Sequence, residues 1–226
     1  MVRLIFSRKW FFLKTEVDRI LTLSMLFSIM LVLAGMVYTT YFVYLFLIWN
    51  LFLAYIPYLV SSWLIRRPNW IEHKGKFALA FFVWLAFVPN TFYILTDVFH
   101  LGETHWVPRW FDLIVLLSFA FNGALLGFVS IRQMEKIMEL KLATKTEWLF
   151  TYPVMLLNGL GVNIGRYMRY NSWDVITNPF QLVSDIVNLL IHPFSHIYDW
   201  GMIGCFSVML ALVYLVAKRL GRAVFL

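Results

Sequence analysis

The sequence is poor in charged residues and almost free of cysteine. Only 14% of its 226 residues are Asp, Glu, Lys or Arg, whereas soluble domains typically contain about 25%. Cys205 is the single cysteine, so neither an intrachain disulfide nor a thiolate metal cluster can form. With 62% hydrophobic residues and a mean hydropathy of +0.76, a soluble globular domain is excluded and a polytopic membrane protein is predicted.

Aromatic residues are abundant, at 19% of the chain with ten Trp and eleven Tyr. Their amphipathic rings prefer the headgroup level of a bilayer, so this composition fits a chain that crosses the lipid interface repeatedly. The net charge of +7 could suggest a nucleic-acid partner. Because the basic residues stand at the ends of apolar runs, we expect contact with a lipid bilayer and no nucleic acid.

The apolar runs predict an all-α membrane bundle of about six transmembrane helices, since about 20 residues cross the hydrocarbon core. The predicted spans are residues 20–38, 41–65, 77–101, 110–131, 148–168 and 200–217. Residues 180–191 are too short and polar to span, which indicates an interfacial or re-entrant helix. Residues 1–19 are interpreted as a basic amphipathic segment on the membrane surface, and residues 20–226 as a single transmembrane domain.

The distribution of basic residues predicts the orientation. With six spans, sixteen of the nineteen Lys and Arg fall on the side that holds both termini. The positive-inside rule makes that side the cytoplasm of a multi-pass cell-membrane protein. Arg109, Arg166 and Arg169 then lie outside.

The stretch WLAFVPNTFYILTDVFHLGETH, residues 84–105, departs from a plain membrane helix. Asn90, Tyr93, Asp97 and His100 recur at i, i+3, i+7 and i+10, which places them on one helix face. Ionisable groups at membrane depth are costly and are functional candidates by default.

Further polar residues fall on the same predicted outer side, so this face is the candidate functional surface. They are Asp112, Asp174, His105, His192 and His196 and the segment with Arg166, Arg169, Asn171, Ser172 and Trp173. The glycines of NGLGVNIG, residues 158–165, predict close helix packing.

Three strings, FVPNTFYILTDVFHL, WFDLIVLLSFAFNGALLGF and GRYMRYNSWDVITNP, resemble a bacterial membrane-protein family, domain of unknown function 1361. The resemblance covers the chain from about Asn50 onward and implies a bacterial inner-membrane protein, with no established activity. It places Pro89, Asn90, Asp97, His100, Asp112, Arg166, Arg169, Asn171, Ser172, Trp173, Asp174 and His196 at motif positions. His192 departs from the family pattern.

A structural role is the first hypothesis for these residues. Asp97, Asp112 and Asp174 would pair with Arg109, Arg166 and Arg169, because buried ions need partners. Such pairs would hold the outer helix ends together and suit a subunit of a cell-envelope complex with membrane-protein partners.

A metal-dependent membrane hydrolase or transferase is the second hypothesis. Asp97, His100 and His196 would bind a divalent metal such as zinc and leave a position for water, while Asp97, His100 and Asp174 would be catalytic. Residues for a lipid-linked or phosphate-bearing substrate would be Asn90, Tyr93, Arg166, Arg169, Asn171, Ser172 and Trp173. The HxxxH spacing of His192 and His196 loosely resembles the zinc-binding alkaline ceramidases, as an analogy of residue types only.

A small transporter or ligand-binding protein is the third hypothesis. A proline-broken third span, a Gly-rich fifth span and a re-entrant segment are typical of elements that line transport sites. The absence of an evident internal repeat counts against an autonomous transporter.

Overall fold

The computed structural model describes residues 8–39, 42, 44–102, 106–142, 147–170 and 174–223. This part of the chain is helical and contains no strand. The α-helices are α1 (Arg8–Thr39), α2 (Leu45–Ile65), α3 (Pro68–Glu72), α4 (Lys74–Tyr93), α5 (Arg109–Leu142), α6 (Tyr152–Arg166), α7 (Asp174–Thr177), α8 (Pro179–Ile191) and α9 (Ile197–Ala223). A 3₁₀ segment, Ile94–His100, continues α4, and a π-helical turn, Glu147–Thr151, precedes α6.

Five helical stretches are long and apolar enough to cross a membrane. They are Glu16–Thr39, Leu45–Ile65, Lys74–His100, Arg109–Leu142 and Ile197–Leu220. The predicted all-α, multi-pass membrane fold is therefore confirmed. The predicted span at residues 148–168 is also helical, through the π turn and α6. It is not one of these five stretches, and its α-helical part has 15 residues, so its crossing stays a prediction.

Two helices run past their predicted ends. Helix α1 begins at Arg8, so no helix break separates the predicted surface segment from the first span. Helix α5 continues to Leu142, through the predicted connector at residues 132–147. It continues because this stretch is packed inside the unit: Met134 and Ile137 are buried, and the buried Glu135 pairs with Arg132 one turn before it.

The third span changes its pitch after Tyr93, where the α-helix gives way to the 3₁₀ segment. The prediction of one regular α-helical face from Asn90 to His100 is wrong for the 3₁₀ segment. A 3₁₀ helix has about three residues per turn, so residues i and i+3 are aligned along it. Asp97 and His100 still lie on a common side for that reason.

The helices group into two compact units, Met1–Thr146 and Glu147–Leu226. In the first unit α2 packs against α4 and α5, and α1 packs on α5. Helices α4 and α5 approach closely, since a Cβ on Gly123 would lie 2.6 Å from the Thr91 carbonyl oxygen. Trp84 and Phe119 are fully buried in this unit.

In the second unit α6 packs on α9. A Cβ on Gly159 would lie 2.8 Å from the Ile203 carbonyl oxygen, so the predicted close packing of this glycine-rich stretch is confirmed for Gly159. Residues 180–191, predicted as a short interfacial or re-entrant helix, are helical as part of α8, and only Leu189 in it is buried. Its place at the interface, like the single domain over residues 20–226, stays a prediction.

Candidate functional site

One end of the first unit gathers polar groups from three elements around Asp112. This residue lies in the first turn of α5 and is 1% exposed. The Tyr44 hydroxyl, just before α2, donates to its Oδ1 at 2.9 Å. The Gly102 amide donates to its Oδ2 at 2.8 Å. Gly102 has φ of +84°, a conformation that suits glycine, so the loop after the 3₁₀ segment turns its amide toward this carboxylate.

Asp97 lies at the same end, in the 3₁₀ segment, and is also 1% exposed. Its Oδ2 accepts a hydrogen bond of 2.9 Å from Asn50 Nδ2 in α2. The His100 ring stands edge-on to Phe46, with centroids 5.5 Å apart. Phe46 and Asn50 are one turn apart on α2, so Asp97 and His100 both face that helix. We call Tyr44, Asn50, Asp97, Gly102 and Asp112 the acid end.

The predicted acid–arginine pairing does not describe Asp112. Both of its carboxylate oxygens accept from neutral groups, the Tyr44 hydroxyl and the Gly102 amide. Arg109, the nearest arginine in sequence, is exposed at the start of α5. The physical reason is that hydrogen bonds from neutral donors can satisfy a buried carboxylate without burying a guanidinium as well.

The opposite end of the first unit is basic. Lys141, near the end of α5, donates from Nζ to the Ile71 carbonyl oxygen at 2.6 Å. This contact brings the end of α5 to the α2–α4 connection, which carries Arg66, Arg67, Lys74 and Lys76. The basic cluster, with partners such as Asp18 and Glu135, therefore lies at the end of this unit opposite Asp97 and Asp112.

A hydroxyl and amide network links three helices toward the basic end. Gln133 Oε1 accepts from Ser61 Oγ at 2.7 Å and from Ser62 Oγ at 3.1 Å. Trp84 Nε1 donates to Ser130 Oγ at 2.7 Å, and Ser130 lies 3.1 Å from Ser61 Oγ. These are the hydrogen bonds that buried polar groups require.

The second unit contains a hydrogen-bonded chain of three side chains. Asn163 Nδ2, near the end of α6, donates to Asp199 Oδ1 at 3.1 Å. Asp199 Oδ2 lies 3.1 Å from His196 Nδ1, at the start of α9. The side chains of His196 and Asp199 are each 28% exposed. A carboxylate on Nδ1 fixes the orientation of a histidine ring and directs Nε2 outward.

A second polar pair in this unit joins Tyr170 to α8. The Tyr170 hydroxyl donates to Asp185 Oδ2 at 2.5 Å, and Gln181 Nε2 donates to Oδ1 at 3.1 Å. The hydrogen bond to Asp185, with partial burial and the nearby negative charge, raises the pKa of Tyr170 to about 12. Beside it, Arg169 has φ of 60°, an uncommon conformation for a residue with a side chain.

The remaining predicted site residues lie on several elements. Asn90 is half-buried and donates to the Phe87 carbonyl oxygen of its own helix at 3.2 Å. Tyr93 is half-buried at the end of α4, and Arg166 is half-buried in the last turn of α6. Asp174 begins α7 and accepts from Thr177 at 3.2 Å. His105, Asn171, Ser172 and Trp173 lie outside the described residues.

A metal site is not assembled among the residues that the structure describes, where no three His, Cys, Asp or Glu side chains come together. Asp97 and His100 belong to the first unit, and His196 belongs to the second. The predicted metal set and its zinc therefore stay predictions.

Sequence reasoning missed the partners of the predicted residues. The sequence patterns predict no role for Tyr44, Asp199 or Asn163. The spacing of His196 and Asp199, i and i+3 at a helix start, was the available signal. No local pattern marks Tyr44, because it is 68 residues from Asp112.

Comparison with known protein families identifies the chain. Residues 49–213 match the family described as "Protein of unknown function (DUF1361)". The match covers more than half of the chain, so the protein belongs to this family, as the sequence strings predicted. No curated protein and no solved structure matches the chain.

Proposed function

We propose that this DUF1361 protein is a structural integral-membrane subunit of a cell-envelope complex, with buried carboxylates that fix helix ends. The observation that carries the proposal is the geometry of Asp112, whose two oxygens hold Tyr44 and Gly102. A catalytic carboxylate has to reach substrate, whereas this one is 1% exposed and holds other parts of the chain. Asp97 joins α2 to the 3₁₀ segment in the same manner.

The proposal includes an orientation of the first unit in the membrane. In the first unit the basic cluster stands at one end, where it includes the Arg132–Glu135 pair, and Asp97 and Asp112 stand at the other. Under the positive-inside rule the basic end is cytoplasmic, and the acid end is therefore extracytoplasmic. Phe99, Trp106 and Trp110 are exposed near the acid end and supply apolar area for headgroups or for a membrane-protein partner.

A swap of Asn50 and Asp97 tests the structural role. Asn50→Asp places two carboxyls within hydrogen-bond distance, so we expect loss of folded protein and a lower Tm in detergent. Adding Asp97→Asn restores a donor and an acceptor with their positions exchanged, so most of the loss should be recovered. Asn69→Asp, at an exposed site in α3, is the control for an added charge. Failure of the double variant to recover would contradict the structural role.

Native electrophoresis of membranes tests the subunit role. A tagged chain solubilised from its own membranes should migrate as a larger species than the purified chain in the same detergent. Equal migration would contradict membership of a complex. Asn50→Asp should reduce the larger species, and the double variant should restore it.

The Asn163–Asp199–His196 chain favours one second candidate, a membrane hydrolase acting on a lipid-linked ester or phosphate. His196 Nε2 would take the proton of an attacking water, and Asp199 would orient the ring. Arg166 and Arg169 would bind an anionic substrate group. His196→Gln should lower hydrolysis of a fluorogenic phospholipid by about 100-fold without lowering Tm, while His192→Gln, at an exposed position, should not. Wild-type protein without hydrolysis would overturn this candidate.

A further inference from the structure

A cavity of about 310 Å³ lies between α1 and α2 in the first unit, away from the acid end. Its size is at the lower end of the range for ligand sites in proteins. Residues of α1 and α2 line it together with Arg66, which directly follows α2. Helix α1 packs on α5, and Asp18 of α1 meets Tyr58 of α2 and Arg66 beside this space.

The charged groups of the cavity lie at one end, and apolar side chains lie farther inside among hydroxyl-bearing ones. Asp18 lies near the start of the first membrane-spanning stretch, and Arg66 directly follows the second. Leu21, Met25 and Leu59 lie farther inside these two stretches. A ligand that matches both parts is amphiphilic, with its polar group at the Asp18 and Arg66 end.

Both signs of charge are present at the polar end. Asp18 accepts a hydrogen bond from the Tyr58 hydroxyl and lies 3.5 Å from Arg66 Nη2. A carboxylate has about four acceptor positions and a guanidinium has five N–H donors, so each group can take a further partner. The Arg66 side chain is 62% exposed and the Asp18 side chain 30%, which leaves both accessible.

We propose that this cavity binds one phospholipid whose headgroup carries a primary ammonium and a phosphate, as in phosphatidylethanolamine. The ammonium donates hydrogen bonds to Asp18, and Tyr55 and Trp63 line the cavity beside it. The phosphate receives hydrogen bonds from Arg66. One acyl chain follows the apolar wall, while the cavity is too small for two.

The charge arrangement favours this lipid over the other common classes. An anionic headgroup without an ammonium leaves Asp18 facing a second negative charge. A choline headgroup keeps the positive charge but has no N–H to donate to the carboxylate. A soluble phosphoethanolamine has no chain for the apolar wall.

The test uses the wild-type protein first. Purified full-length protein in detergent is titrated with dioleoyl phosphatidylethanolamine, its N-methyl and N,N-dimethyl forms, dioleoyl phosphatidylcholine and dioleoyl phosphatidylglycerol, with native mass spectrometry as the readout. We expect stepwise weaker binding with each methyl group, to about tenfold overall, as N–H donors are lost. Glycerophosphoethanolamine, which has no acyl chain, should not bind. Equal binding across the series would overturn the proposal.

Two variants locate the site. Asp18→Asn should abolish the preference for the primary ammonium and leave phosphatidylcholine binding unchanged. Arg66→Gln should lower the affinity for every phospholipid by a similar factor, about tenfold. Glu16→Gln and Arg19→Gln are the matched controls, because each removes a nearby exposed charge outside the cavity lining. A preference that survives Asp18→Asn, or is lost in a control, would overturn the assignment to this cavity.

Discussion

In the first unit Asp97 and Asp112 are 1% exposed, whereas in the second unit the side chains of Asp199 and His196 are each 28% exposed. Both sets are held by hydrogen bonds, so satisfaction of polar groups does not distinguish them. The exposed fraction of the side chains distinguishes the two sets. This difference in exposure supports the proposal that the buried acids bind other parts of the chain, and it leaves Asp199 and His196 accessible to another molecule.

Helix packing differs between the units in a related way. In the first unit α5 contacts α1, α2 and α4, and its glycine Gly123 admits a neighbouring backbone. In the second unit α9 packs on α6, but Gly201 and Gly204 of α9 face open space, with no atom within 4 Å of an added Cβ. A central helix thus organises the first unit, and α9 keeps an open face.

The largest difference in stability between the two units is expected from substitution of Asp112. Asp112→Leu leaves the Tyr44 hydroxyl and the Gly102 amide without their acceptor, so we expect a loss of about 3 kcal/mol in unfolding free energy. Asp185→Leu, in the second unit, removes a more exposed acceptor, so the loss of unfolding free energy should be much smaller. Denaturant titration in detergent measures both. Equal losses would break the distinction between buried and accessible acids.

An intermediate effect is expected from matched glycine substitutions. Gly123→Ala places a methyl group 2.6 Å from the Thr91 carbonyl oxygen, and such overpacking costs about 1–3 kcal/mol. Gly204→Ala meets no atom within 4 Å and should stabilise α9 by up to about 1 kcal/mol through helix propensity. Thermal unfolding should shift in opposite directions. Shifts of the same sign would contradict the packing difference.

The smallest effect concerns the ionisation of Tyr170. Its hydrogen bond to Asp185 raises the pKa of Tyr170 to about 12, so the neutral phenol is favoured in the folded protein. The resulting stabilisation is complete below pH of about 10, where an unfolded tyrosine starts to ionise, and it is lost as the pH rises from there to about 12.

Absorbance titration measures this ionisation. The difference between wild type and Tyr170→Phe should show a tyrosinate step near pH 12. Asp185→Asn should move the step toward the ordinary value, because it removes both the acceptor and the negative charge. A step already at the ordinary value in the wild type would show that the pair does not form.

The sequence alone determined the membrane class, the family and the position of nearly every long helix, because hydrophobic run length is a local property. It also located Asp97, Asp112 and His196, since an ionisable group inside or beside an apolar run is visible without a structure. The change to 3₁₀ pitch after Tyr93 was not visible, because nothing in ILTDVFH breaks a helical pattern.

Only the tertiary structure decided the partners of these residues. Tyr44 and Asp112 are 68 residues apart, Asn50 and Asp97 are 47 apart, and Asn163 and Asp199 are 36 apart. Such pairs depend on which helices pack together and how each is rotated about its axis. In a chain with 62% hydrophobic residues, most helix faces are apolar, so periodicity does not fix that rotation. Packing fixes it, through close contacts such as Gly123 against Thr91.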